Sequence, residues 1–340
     1  MNLTTLGWDD AWAEALAVRE DRALTPARVL AVHRGRYAVR AEQGDALVPA
    51  AGALEAAARD PAELPAVGDW VALRRGEAIR HVLPRRTVLA RADHDAREEA
   101  LAANVDLCLV TTSLDLDLNL RRLERFVALA RAGGVDVLLV CTKGDLSRDP
   151  VGQSAEVASA VGAETIVLSA HDGWGVNALL ARLEPRRTAA LVGMSGVGKS
   201  TLVNLLLGEQ RQRTLAVRER DARGRHATTH RELFVLDGGA LLIDTPGLRL
   251  PRMASTEGVD DAFADVTQAA ARCRFADCGH AGEPGCGVAA AIAEGELDPA
   301  RLEAMRKLER EGRTAAERRE RARQFARLHR KQIRARTRHR

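Results

Sequence analysis

"GMSGVGKST", residues 193–201, sets Gly193, Gly198, Lys199 and Ser200 in the register of a phosphate-binding loop. Ordinary amino-acid frequencies produce those fixed positions in a chain this long on the order of a few per cent of the time, before anything is asked of the flanks. Both flanks fit: "TAALVG" ahead reads as a buried strand and "STLVNLLLG" behind as a helix. In that setting the glycines let backbone N–H groups across Met194, Ser195, Gly196 and Val197 converge on phosphates, and the helix N-terminus adds positive potential. Lys199 is placed to reach the β/γ oxygens and Ser200 to ligate Mg2+, with Thr201 beside it.

The strand-then-helix rhythm extends on both sides of the loop. "VDLCLVTT", "VDVLLVCT" and "ETIVLSA" precede it, separated by the helical patterns "NLRRLERFVALARAGG" and "VGQSAEVASAVGA" and followed by "GVNALLARL"; "ALLIDTPG" comes after it. Continuous apolar strands of this kind need cover on both faces, so a mostly parallel sheet between helices is predicted. Cys108 and Cys141 fall within those strands and read as buried thiols. "DTPG", residues 244–247, closes the strand "ALLID". Asp244 then stands beside the phosphates as a partner for Mg2+, and Gly247 can offer its N–H to a γ-phosphate.

"TKGD" at 142–145 and "SAHDG" at 169–173 suit a guanine base. Asp145 would accept from N1 and the exocyclic amine, Lys143 would lie over the ring, and a backbone N–H near Ala170 would meet O6, with Thr142, Gly144 and Ser169 completing the set. In an ordinary guanine-nucleotide switch those two motifs come last. Here they precede the phosphate loop, "HATTH" at 226–230 and "DTPG". Cutting one loop and joining nearby ends leaves a packed sheet intact, because domain termini commonly lie close together. The domain is therefore read as circularly permuted.

With its motifs in this order, the sequence resembles the circularly permuted small-ribosomal-subunit-dependent GTPase A family of bacteria (RsgA, also YjeQ or YloQ) over nearly the whole chain. The resemblance implies an N-terminal OB barrel, a permuted GTPase domain and a C-terminal zinc domain. It also implies hydrolysis of GTP to GDP and phosphate with Mg2+, late in small-subunit maturation, stimulated by the ribosomal particle, with the small subunit and its rRNA as partners. Two positions depart from common GTPase patterns. Thr142 stands where many GTPases have an Asn that braces the phosphate loop, and Leu248 and Arg249 follow Gly247 where Ras-like enzymes supply a water-orienting Gln. The resemblance points instead to a switch histidine before the Thr pair. His226 matches it, with Thr229, or its rival Thr228, contacting Mg2+ and the γ-phosphate; with Lys199 these make the expected catalytic set.

"CRFADCGHAGEPGC" carries Cys273, Cys278, His280 and Cys286 in the spacing C-x4-C-x-H-x5-C. Three thiolates and an imidazole make a closed tetrahedral site, so one structural Zn2+ is expected. The segment after it is strongly basic: residues 301–340 hold 16 Lys and Arg against 5 Glu, a balance of +11, which leaves the remainder with 35 basic and 42 acidic residues, or −7. Such a run is either a solvated helix or a surface for nucleic-acid phosphates.

At the other end, Trp8, Trp12, Leu16 and Val18 have roughly helical spacing and suggest a short docking helix. From about 27 to 91, short alternating segments separated by Gly, Pro and Asp read as a five-stranded OB-like barrel. Tyr37 and Trp70 are candidates for either its core or a base-stacking platform, and Arg34, Arg36, Arg74 and Arg75 for RNA contact. "RADHDAREEA" (91–100) is taken as a polar linker. The expected divisions are 1–23 as an extension, 24–95 as the barrel, 96–252 as the GTPase domain and 253–340 as the zinc domain with its basic tail. The N-terminus lacks the basic start and apolar run of a secretory signal, and no stretch reaches the roughly 18 apolar residues of a membrane helix. A cytoplasmic monomer without a membrane partner is expected. Two rival functions stay open on sequence: an RNA-binding zinc and OB module that uses nucleotide only as a ligand, and an ATP-using phosphotransferase.

Overall fold

A computed structural model describes residues 2–19, 21–115, 118–208, 231–245 and 251–338, with side chains to residue 322 and at residue 324. Alternating inward residues build the first unit. β1 (Leu24–His33), β2 (Arg36–Ala41) and β3 (Gly44–Val48) form an antiparallel meander, and β4 (Trp70–Arg74) pairs with β1 and with β5 (Ala78–Val82). An Ala50–Ile79 bridge joins β5 to the end of β3 and closes the barrel. Val29, Tyr37, Val39, Val71, Leu73 and Ile79 fill it. Tyr37 is thus core.

Trp70 is also buried, but it faces the N-terminal extension. There Trp8 packs edge-on against it, with ring centroids 4.8 Å apart, just ahead of α1 (Asp10–Ala17). Asp9 caps that helix by accepting from the Trp12 N–H at 3.2 Å. Trp12 is buried and Leu16 packs half-buried against the core, whereas Val18, just past the helix, is exposed, so the docking stripe ends with the helix. A short α2 (Gly52–Ala57) follows the barrel's third strand. The polar stretch 91–100 does not stay extended: it turns within a hairpin of β6 (Val88–Ala92) and β7 (Glu98–Ala103). Asp93 makes that turn by accepting the Asp95 and Arg97 N–H groups at 2.8 and 2.9 Å.

The parallel sheet follows from the apolar runs. β8 (Leu107–Ser113), α3 (Leu120–Ala132), β9 (Asp136–Thr142), α4 (Pro150–Val161), β10 (Thr165–Val167), α5 (Val176–Leu180), β11 (Thr188–Gly193), α6 (Lys199–Leu207), β12 (Glu232–Val235) and β13 (Leu241–Asp244) come in that chain order. In space the strands run β10-β9-β8-β11-β13-β12, parallel except for the last pair. Neighbouring residues divide between the faces as the pleat requires. Val110, Leu139 and Ile243 lie in the core beneath α3, and Leu109, Leu138 and Leu242 in the core beneath α6. The edge strand β12 meets barrel strand β1 through an Ala31–Glu232 bridge, so barrel and sheet are continuous.

The C-terminal part contains α7 (Val259–Ala262), α8 (Ala264–Ala270), α9 (Gly287–Ala293) and the 40-residue α10 (Pro299–Arg338). The basic segment is therefore helical, and its first half is not merely solvated: Arg301, Leu302, Leu308 and Ala315 are buried. Among the described residues no helix is long and apolar enough to cross a membrane.

Candidate nucleotide and metal sites

The C-terminal ends of parallel strands meet where ligands bind in open α/β sheets. β11 ends at Gly193, where a Cβ would collide with the Thr111 carbonyl on β8, so the phosphate loop leaves the sheet through a glycine. Gly196 and Gly198 adopt left-handed φ values of 88° and 92°, which bend the loop into the start of α6. Lys199 is buried, and its Nζ lies 2.7 Å from the Gly193 oxygen and 2.5 Å from that of Met194, folded over the loop. Ser200 is half-buried in the first turn of α6, while Ser195, Gly196 and Thr201 are exposed.

Asp244 ends β13 and is 3% exposed; its Oδ1 has no hydrogen-bond partner. Burial pushes its carboxyl up from the usual 3.8 to about 6, with the Lys199 ammonium pulling the other way. A buried carboxylate oxygen with no partner among the described residues suits a hard divalent cation, and Asp244 with Ser200, in the first turn of α6, are the described residues that would hold Mg2+. The next residue, Thr245, donates its hydroxyl to the Leu191 carbonyl at 2.6 Å and so ties β13's end to β11.

The two motifs read for the base follow β9 and β10, two and three strands away. Thr142 makes the connection: its buried Oγ1 is 2.5 Å from the Val197 oxygen in the phosphate loop and 3.0 Å from that of Thr112. The Thr142 side chain therefore ties the end of β9 to the phosphate loop. Lys143 takes a left-handed backbone with φ 57°, turning the chain so that Gly144–Leu146 forms a short 3-10 helix with Asp145 exposed. Lys143 Nζ contacts Asp115 Oδ2 at 2.6 Å, and Ser113 Oγ donates to Asp115 Oδ1 at 2.8 Å. Ser169 is buried after β10, its N–H donating to the Trp174 carbonyl at 2.9 Å, and Ala170 is half-buried beside it. In the same loop His171 is pushed above its ordinary value first by the bonded Asp172 carboxylate and to a smaller extent by Asp145, which places the two motifs together.

Base and phosphate motifs thus occupy one end of one sheet, separated by two to three strand spacings, about 10–15 Å. Strand order in space restores the guanine-nucleotide sequence of parts that chain order scrambles. The family model for the RsgA GTPase matches residues 82–254. The chain is 44% identical over 337 residues to a small ribosomal subunit biogenesis GTPase RsgA of Opitutus terrae, covering 94% of this chain and 92% of that one. The chain belongs to the RsgA GTPase family. A relative of the same name from Streptomyces coelicolor is 45% identical, over 91% of this chain and 86% of its own. Among solved structures, YjeQ from Thermotoga maritima superposes with a TM-score of 0.62 at 25% identity, covering 85% of this chain and 98% of that one. YloQ, a circularly permuted GTPase, gives 0.59 at 22% over 86% and 96%. Members of this family are GTP hydrolases, which decides against the binding-module and ATP-using readings.

In the C-terminal part Cys273, Cys278, His280 and Cys286 come together, their ligand atoms all within 4.8 Å of one another. His280 Nδ1 is 3.5 Å from both Cys273 Sγ and Cys286 Sγ, and those sulfurs are 3.9 Å apart. A tetrahedron with metal–sulfur bonds near 2.3 Å and metal–nitrogen bonds near 2.0 Å has edges of about 3.8 and 3.6 Å, so the cluster fits Zn2+. The Gly287 and Ala289 N–H groups at the start of α9 donate to Cys273 and Cys286 Sγ, 3.3 and 3.4 Å away.

His226, Thr228, Thr229 and Gly247 lie outside the described residues. Sequence reading missed Asp115, although Ser-x-Asp just past a strand end is a visible pattern. It also missed a clamp on the chain leaving "DTPG". Arg125 of α3 donates to the Pro251 carbonyl at 3.0 Å and to both Glu311 carboxylate oxygens at 2.7 Å, and Glu311, on α10, accepts the Met253 N–H at 2.9 Å. Those partners are more than 50 residues apart, beyond the reach of any local signal.

Proposed function

We propose that this chain hydrolyses GTP on the small ribosomal subunit late in that particle's maturation, in the cytoplasm and as a monomer, and leaves after hydrolysis. The chief support is the 44–45% identity, across more than nine-tenths of the chain, to relatives named small ribosomal subunit biogenesis GTPase RsgA. Asp145 selects guanine, Lys143 covers the ring, and the N–H groups of the 193–199 loop cradle the phosphates. Lys199 leaves the carbonyls it caps to meet the β/γ oxygens. Mg2+, when bound, offsets phosphate charge, and Ser200, Asp244 and Thr229 are its holders. Thr229, or its rival Thr228, also contacts the γ-phosphate, to which Gly247 offers its N–H, and His226 orients the attacking water. The Cys3His cluster carries one structural Zn2+. The barrel and the basic α10 grip rRNA.

The Arg125–Glu311 clamp gives nucleotide state a route to that grip, because it fastens the chain just beyond "DTPG" to the long basic helix. A GTPase assay with purified small subunits tests the reading on wild type, Lys199→Ala and His226→Ala. The expected result is slow hydrolysis alone, a sharp rise with subunits, loss in both settings for Lys199→Ala and loss of the subunit-dependent rise for His226→Ala. Robust turnover of pure protein that subunits leave unchanged would reject it.

A further inference from the structure

A cavity of about 300 Å³ lies at the N-terminal end of β11, where Thr188 starts the strand whose other end opens into the phosphate loop. Five residue steps, roughly 16 Å, separate the two ends. Its walls come from three parts of the molecule: Trp8 and Trp12 of the extension, Arg28 of β1, and Arg186 and Arg187 ahead of β11. Arg28 decides its chemistry. That side chain is 2% exposed, donates to the Leu6 carbonyl at 2.9 Å and to Thr188 Oγ1 at 3.1 Å, and leaves Nε without any partner.

Among the described residues no carboxylate touches Arg28, whose guanidinium lies over the Trp70 ring, 5.0 Å from its centroid. Asp69 is held by Arg85 at 2.7 and 2.8 Å and by the Ala66 N–H at 2.7 Å, and Asp106 accepts from the Thr188 N–H at 2.7 Å. Burial accordingly lowers its pKa to about 10, the two distant aspartates offsetting only part of the shift. An interior cation bonded solely to neutral groups is costly unless an anion completes it. The mouth adds Arg86, paired with Asp9 at 2.7 Å, the exposed Arg186, and the exposed Arg187, which lies 3.6 Å from Glu184 and 3.9 Å from Asp136; among the residues that line the cavity itself, four arginines face Asp9 and Asp106.

We propose that this cavity is a second anion site, separate from the GTP site, that takes a phosphate group borne by a nucleotide or by a single RNA strand. Guanidinium forks match phosphate geometry, and the indole of Trp8 offers a surface to an attached sugar or base. The volume, at the low end for small-molecule pockets, admits one phosphate and its neighbour but not a duplex. An occupant would staple the extension, the barrel and the first residue of β11 together.

The test uses the full chain saturated with GDP and Mg2+, so that the phosphate loop is filled. Tryptophan emission is followed while inorganic phosphate, uridine monophosphate or a short single-stranded RNA is added, against chloride at matched ionic strength. A saturable change is expected with phosphate and the monophosphate, at least tenfold weaker in Arg186→Ala/Arg187→Ala, whose GDP affinity is unchanged. Both arginines are exposed, so the variant keeps the fold that replacing the buried Arg28 would put at risk. RNA that competes with phosphate assigns the site to a strand; RNA that does not compete assigns it to a free phosphate compound. Absence of any saturable change, or equal affinity in the double variant, overturns the proposal.

Discussion

Replacing Asp244 with Asn should stabilise the protein and abolish its metal-dependent hydrolysis. The folded-state pKa is raised from 3.8 to about 6, so between those values the folded state binds the extra proton. Stability therefore falls as pH rises from about 4 through 6 and stays low above it, by about 3 kcal/mol for a shift of roughly two units. Asn keeps the shape and removes the ionisation. In nucleotide-free protein with Mg2+ chelated, Asp244→Asn is expected to melt roughly 4 °C above wild type at pH 7.5, with the gap about halved at pH 5 and closing below about pH 4. Bound Mg2+ reverses the preference in wild type, so Mg2+ affinity should fall about tenfold per unit as pH drops below about 6. Differential scanning calorimetry across pH, with isothermal titration of Mg2+ into the GDP complex, measures both. An Asn variant no more stable than wild type at pH 7.5, or a gap independent of pH, would refute the reasoning.

Thr142→Ala removes the hydroxyl from the Val197 carbonyl and leaves a buried acceptor unpaired, at about 1–3 kcal/mol; GDP affinity measured by titration should fall roughly tenfold or more. Glu311→Gln weakens a buried pair and should blunt stimulation by the small subunit while leaving unaided hydrolysis in place, which rate measurements in both conditions check. Metal analysis should find one Zn2+ per chain. Stripping it should unravel residues 273–286 in hydrogen exchange while the sheet keeps its protection.

The parallel sheet was legible because its strands are unbroken apolar runs, and the five barrel segments because they alternate between turn residues. The phosphate loop and the Cys3His cluster were legible because their chemistry demands fixed spacing. β12 escaped notice: "ELFV" is too short to carry a period, and it is a strand because β13 and β1 offer it hydrogen bonds. The β6–β7 hairpin was hidden because Arg91, Glu98 and Glu99 make its tip polar and β7 carries no alternation, Ala100–Ala103 being buried in succession. The Thr142 brace needed three dimensions, since only the sheet brings β9 beside the phosphate loop. Arg28 reads on the sequence as one more barrel arginine, and its burial depends on an extension and a strand far along the chain.

Base preference measures the convergence of the scattered motifs most directly. Wild type should bind GDP far more tightly than xanthosine diphosphate, and Asp145→Asn should reverse that order. Lys199→Ala should weaken both nucleotides without altering their ratio. An Asp145→Asn protein that still prefers guanine would mean that the 142–145 turn does not face the nucleotide held by the 193–201 loop, and the permuted site would not exist.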